Sequence, residues 1–237
     1  PLTASAGDVS ITTAQASFPA GSTHDTVVST HSLTVVDDPV VEGTEAFELD
    51  LSIASGLATT TARNAYTITD NDSATVDFAP ISVGQSEAIS PMVFTVTLSN
   101  PVASGVTLAV NSTNGTAGAA DFTAISGGSV SFPPNSTTAQ TVNVAINNDA
   151  LDEADEQFTL GLSNLVATGA VTLGAATATG TIVDDDALPV LSVADVTQPE
   201  GDAVNTLVFT VTLSAVSGRD VSFSRATADG TATAADN

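Results

Sequence analysis

From Asn147 to Phe158 the chain reads NNDALDEADEQF, which places Asp149, Asp152, Glu153, Asp155 and Glu156 close together. A further acidic run, Asp184-Asp185-Asp186, lies downstream. Carboxylates crowded in this way repel one another unless protons or a cation sit among them. Oxygen-rich clusters on short loops suit a hard divalent cation such as Ca2+, which takes about six to eight oxygen ligands. The same residues taken singly read as a solvated acidic coat. Recurrence favours the cage: DDPVVEGTEAFELDLS at 37–52 parallels NDALDEADEQFTLGLS at 148–163, and DND at 70–72 parallels DDD at 184–186.

Other chemistries find little to stand on. There is no Cys, so thiolate metal sites, Cys nucleophiles and disulfides are excluded. His24 and His31 lack a third soft ligand for zinc and read as surface or strand-edge residues. A glycosidase carboxylate pair usually works beside aromatic platforms, and the chain has no Trp and a single Tyr, Tyr66. No nucleophile elbow, zinc-protease helix motif or phosphate-cradling glycine loop occurs. The chain is therefore not expected to be an enzyme. Its 27 acids against three Arg and no Lys give a formal charge of -24, which repels nucleic acid and anionic headgroups. No apolar run is long enough to cross a membrane as a helix, and PLTASAG lacks the features of a signal peptide. The first residue is not Met, and the chain reads as a segment of something longer. NST at 111–113 and 135–137 are glycosylation sequons where the source uses them.

The elements that must hold these acids are strands. MVFTVTLS turns Phe94, Val96 and Leu98 one way and Thr95, Thr97 and Ser99 the other, and TVNVAIN does the same with Val142, Val144 and Ile146. SGGS at 126–129, FPPNS at 132–136 and NGTAG at 114–118 mark turns between them. The pattern predicts an all-β fold of antiparallel sandwiches, with Phe47, Phe94, Phe158 and Phe209 in the core. In such a sandwich the 148–153 loop and the tail at 184–186 can lie at one end. LVFTVTLSA at 207–215 repeats MVFTVTLSN at 92–100, and DGTATAAD at 229–236 repeats NGTAGAAD at 114–121. TASAGD at 3–8 parallels TAGAAD at 116–121, and SFPAGS at 17–22 parallels SFPPNS at 131–136. The repeat is about 115 residues long. Residues 1–72 are expected to be the later part of a first unit, 73–186 a complete unit, and 187–237 the opening part of a third.

A unit that opens with a strand and an E-G pair (Glu200, Gly201) and continues through FTVTLS and D-G-T-A resembles the Calx-beta module. The likeness extends through the N-D-x-x-x-E segment and a closing T-G-T-I-x-D-D-D. That family includes calcium-binding regulatory domains of sodium/calcium exchangers, a cytoplasmic part of an integrin β subunit, and tandem arrays in large bacterial surface and secreted proteins. The resemblance implies an immunoglobulin-like Greek-key sandwich of about seven strands per unit, with Ca2+ held by loops at one end. Carried over residue by residue, the implied ligands of the complete unit are Asp121, Asn148, Asp149, Glu153, Asp184, Asp185 and Asp186; Asp152, Asp155 and Glu156 are left open. The first unit offers Asp8, Asp37, Asp38, Glu42, Asp70 and Asp72, and the third Glu200 and Asp236. At the E-G position the complete unit has Gln85 and Ser86, with Glu87 nearby, and Asn148 stands where the first unit has Asp37. Fewer ions or weaker binding are expected there.

The implied role is a calcium-stiffened spacer or adhesion segment of a larger extracellular or cell-surface protein. The competing role is a calcium-sensing regulatory domain in cell communication, associated with a membrane protein. Expected partners are calcium ions, neighbouring Calx-beta units, other surface proteins, and a second copy through strand exchange. Neither nucleic acid nor direct membrane insertion is among them.

Overall fold

The computed structural model describes residues 8–10, 17–23, 26, 33–50, 63–203 and 205–232, and no helix occurs among them. Near the N-terminus Val9–Ser10 (β1) pairs antiparallel with Thr34–Val35 (β2), and Glu45–Asp50 (β3) with Arg63–Ile68 (β4). Then come Ser73–Phe78 (β5), Ser82–Ser86 (β6), Met92–Leu98 (β7), Val106–Asn114 (β8) and Gly128–Phe132 (β9). Gln140–Val144 (β10), Glu156–Val166 (β11), Ala170–Leu173 (β12) and Thr177–Val183 (β13) complete the central sandwich. Leu191–Val193 (β14) and Val211–Leu213 (β15) form a further antiparallel pair.

The central sandwich has a four-stranded sheet, β10-β7-β5-β12, facing a five-stranded one, β6-β13-β11-β8-β9. Alternation along each strand fills the space between them. Met92, Phe94, Val96 and Leu98 of β7 are buried, as are Val142 and Val144 of β10 and Phe158, Leu160 and Leu162 of β11. Phe158 stacks on Phe122 with ring centroids 4.4 Å apart and meets Phe94 edge-on at 5.9 Å. Each such side chain contributes about 1.5–3 kcal/mol by leaving water.

Two features depart from the antiparallel expectation and raise the strand number above seven. Pro80 has no N–H to continue the β5 ladder, and the chain crosses to the opposite sheet, where β6 pairs parallel with β13. The far end of β11 is irregular between Ser163 and Val166, and the chain then crosses the other way, so that β12 pairs parallel with β5. The first crossing delivers Glu87, just beyond β6, to the end of the sandwich where β13 releases Asp184.

Two of the expected core aromatics lie elsewhere. Phe209 is 56% exposed, because β14 and β15 form a two-stranded pair with no opposing sheet among the described residues. Phe47 is half-buried and stacks on Tyr66 at 5.3 Å. Phe94 and Phe158 are fully buried.

Candidate metal sites

Among the described residues, three groups of carboxylates bring ligand atoms within 4.8 Å of one another: Asp8–Glu42–Glu45, Glu87–Asp184–Asp186 and Asp121–Glu153–Glu156. The last two share one end of the central sandwich. Glu87 follows β6, Asp184 and Asp186 follow β13, Glu156 opens β11, and Asp121 lies between β8 and β9. A single small cavity is lined by Glu87, Asp121, Glu153, Glu156 and Asp184, so the two triads face a common space.

Backbone contacts hold these loops in place. The Gly118 N–H donates to Asp121 Oδ2 at 2.6 Å, and the Asn147 N–H to the Asp121 carbonyl at 2.9 Å. The Glu87 N–H donates to the Val183 carbonyl at 3.0 Å, which ties β6 to the start of the acidic tail. Asp149 Oδ1 accepts from the Leu151 N–H at 2.8 Å and turns the loop before β11. In the N-terminal cluster, Asp70 Oδ2 accepts from the Glu42 N–H at 2.8 Å, and its Oδ1 from the Asp72 N–H at 3.1 Å. Asp38 Oδ1 accepts from the Val40 N–H at 2.8 Å. One cavity is lined by Asp8, Asp37, Asp38, Glu42, Asp70 and Asp72, all the acids expected there, and by Glu45.

The clusters are electrostatically unsatisfied. Buried Glu45 Oε2, Glu87 Oε1, Glu156 Oε2, Asp184 Oδ1 and Asp186 Oδ2 have no hydrogen-bond donor. Burial, then the Asp186 carboxylate, pushes the pKa of Glu87 up to about 7. Burial and Asp121 do the same to Glu156, and burial and Asp8 to Glu45, each to about 7. Burial followed by neighbouring carboxylates also raises Glu42, Glu153 and Asp72. A buried acceptor without a donor is costly, and a divalent cation among these oxygens would satisfy several at once. The donors are all carboxylate oxygens with no Cys or His among them, the ligand set of a hard cation. The residues present fit calcium.

Other expected ligands are placed differently. Asn148 is exposed, and its side-chain amide donates to the Asp149 carbonyl at 3.2 Å. Asp185 is exposed and accepts from Ser86 Oγ at 3.0 Å. Asp149 lies near enough to raise Glu87 and Glu153 without joining either triad. Glu200 is exposed and joins none of the three clusters. Asp236, like His24 and His31, lies outside the described residues. Asp152 is buried and turned to Arg219, whose guanidinium donates to Oδ1, while Ser217 Oγ donates to Oδ2 at 3.1 Å. That pairing holds the Asp152 carboxyl below the usual range.

Glu45 and Glu87 join these clusters without having been among the expected ligands. Glu45 and Glu156 occupy matching positions of the two parallel acidic segments, a recurrence that marks both. Glu87 lies two residues beyond the position matched to Glu200. The charge absent at Gln85 therefore returns in the cluster itself.

Compared with known protein families, the chain matches the Calx-beta domain over residues 12–76, 69–186 and 190–237. Among solved structures it is similar to the apo-form Calx CBD1 domain, at 25% identity and a TM-score of 0.44, over 48% of this chain and 98% of that one. It is also similar to CBD12 from CALX1.2, at 24% identity and a TM-score of 0.44, over 54% of this chain and 53% of that one. The structure titled calcium binding domain CBD12 of CALX1.1 gives 25% identity and 0.43, with coverages of 54% and 53%. The chain thus spans about half the length of the two CBD12 structures. No curated protein sequence matches it.

Proposed function

The chain belongs to the Calx-beta family, and on that premise we propose that it is a calcium-binding structural repeat, a spacer stiffened by its ions within a larger surface or secreted protein. In this reading 73–186 is one complete unit set between parts of two others. Asp8, Glu42 and Glu45 hold calcium in the first unit; Asp121, Glu153 and Glu156, with Glu87, Asp184 and Asp186, hold it in the complete one. Asp37, Asp38, Asp70, Asp72 and Asp149 add negative potential around the cages. Bound calcium supplies the positive charge that these oxygens lack.

The observation that carries the reading is the set of five buried carboxylate oxygens without a donor, all within the three clusters. A solvated coat would leave its carboxylates in water, at ordinary pKa values. Stiffening follows from where the cages sit. Glu42 and Glu153 each directly follow a residue bridged to the repeat beyond, Val41 to Val102 and Asp152 to Ser217. Ordering either acidic loop therefore constrains a joint.

Calorimetric titration with calcium, paired with small-angle scattering in calcium and in chelator, tests this. Saturable binding with a narrower range of inter-unit arrangements in calcium is expected. No binding heat, and scattering identical in both conditions, would remove the proposal.

A further inference from the structure

The two joints share one backbone design and differ in side-chain chemistry. In the paired segments DDPVVEGTEAF and NDALDEADEQF, Val41 and Asp152 hold the same position, immediately before Glu42 and Glu153. In MVFTVTLSNPVAS and LVFTVTLSAVSGR, Val102 matches Ser217, Ala103 matches Gly218, and Ser104 matches Arg219. The structure joins these positions in the same way twice. Val41 bridges Val102 in parallel, and the Ala103 N–H donates to the Val41 carbonyl at 3.0 Å. Asp152 bridges Ser217 in parallel, and the Gly218 N–H donates to the Asp152 carbonyl at 2.9 Å.

At the first joint both bridging side chains are fully buried valines. Close packing there depends on Gly169, at φ +86°, where a Cβ would lie 2.3 Å from the Glu42 carbonyl oxygen and 2.7 Å from Val41 Cγ1. At the second joint the buried position belongs to Asp152, which is held by Ser217 and by Arg219. A Cβ at Gly218 would lie 2.8 Å from Glu153 Cγ, so this segment also packs tightly on the acidic loop. The Arg219 side chain is 48% exposed, within reach of dissolved ions.

We propose that this paired bridge is a repeating latch between consecutive units, apolar and permanent at Val41–Val102 but ionic and releasable at Asp152–Ser217–Arg219. The second joint is then the hinge of the chain. Apolar contact is not weakened by salt, whereas an ion pair with one solvent-exposed partner is screened as the Debye length falls to about 3 Å at 1 M. Among the described residues, Arg219 supplies the side-chain charge that pairs with Asp152 at the joint, and the first joint has Ser104 in its place. The latch does not rest on calcium binding, so chelator separates it from the function proposed above.

The absence of Cys allows spin labels to be placed at will in the full chain. Asn143→Cys with Ser222→Cys spans the second joint, and Thr67→Cys with Ser129→Cys spans the first. In chelator, electron–electron distance measurements at 0.05 M NaCl should give each pair a reference width, separate from any further narrowing that calcium brings. At 1 M the second should widen about twofold while the first stays unchanged. Arg219→Gln should give the wide distribution already at low salt. Asp152→Val with Ser217→Val and Arg219→Ser, which copies the first joint, should make the second narrow at every salt concentration. A second joint indifferent to salt and to Arg219→Gln, equal widening of both joints, or a triple variant that still widens would overturn the proposal. Arg219→Gln alone decides the matter if the triple variant does not fold.

Discussion

A carboxyl buried beside others can lower its energy by keeping a proton, finding a donor or sharing a cation, and Glu45, Glu87 and Glu156 have no donor for one oxygen each. Their pKa values, up from an ordinary 4.5 to about 7, mean that the folded chain holds protons more tightly than the unfolded one. In metal-free protein their contribution to stability is full below about pH 4.5 and is lost as pH rises through about 7. Thermal melting in chelator should therefore fall across that window, and saturating calcium should flatten the slope. Glu87→Gln should raise the melting temperature of the chelated protein at pH 7.5, because it removes a buried charge, while weakening calcium binding at least about tenfold, or about 1.4 kcal/mol. Two adjacent acids should separate in the same titration. Asp184 has a buried oxygen without a donor, whereas Asp185 is exposed and already served by Ser86. Asp184→Ala should weaken calcium binding far more than Asp185→Ala, a contrast that equal losses would contradict.

At the scale of the element, the strands that carry these acids were legible because period-two alternation is a direct record of which face is buried. Phe94, Val96 and Leu98 fall on the inner face of β7 as the pattern requires. The crossings at Pro80 and after β11 left no comparable record, since a parallel edge pair depends on which sheet a short strand reaches rather than on its own pattern. Glu87 was missed for that reason: only the crossing of β6 to the side of β13 brings it to Asp186. Phe209 shows the converse limit, since alternation marks an apolar face without supplying the sheet that covers it. The acidic loop itself was legible through recurrence, but recurrence could not divide labour within it. Asp152 and Glu153 are neighbours in sequence, yet one is bridged to Ser217 and the other joins the cluster with Asp121 and Glu156. Phe158 joins strand to site, lying two residues after Glu156 and stacked on Phe122, one residue after Asp121. Phe158→Ala should cost about 3–5 kcal/mol in denaturant unfolding. It should also weaken calcium binding, because Glu156 and Asp121 lose their support.

Over the whole molecule the question is whether a charge of -24 acts as a diffuse coat or as a few defined cages. The two respond differently to the kind of cation supplied. Repulsion among exposed carboxylates is long-ranged and screened by any salt, because the Debye length shrinks from about 30 Å at 0.01 M to about 10 Å at 0.1 M. Sodium chloride should therefore raise the melting temperature of the chelated chain until that repulsion is screened, and then level off. The orphaned oxygens of Glu45, Glu87, Glu156, Asp184 and Asp186 are shielded from bulk ions by the protein around them. A cation seated between them would neutralise them where salt in bulk water does not, and a ligand bound only by the folded state stabilises it by an amount that grows with the logarithm of its concentration. Calcium chloride should accordingly raise the melting temperature beyond the sodium plateau at equal ionic strength, and continue to raise it with concentration. Magnesium, smaller and reluctant to lose its water, should fall short of calcium. Identical melting curves for the three salts at matched ionic strength would mean that the acids serve only as a coat, and the cage reading would fail with them.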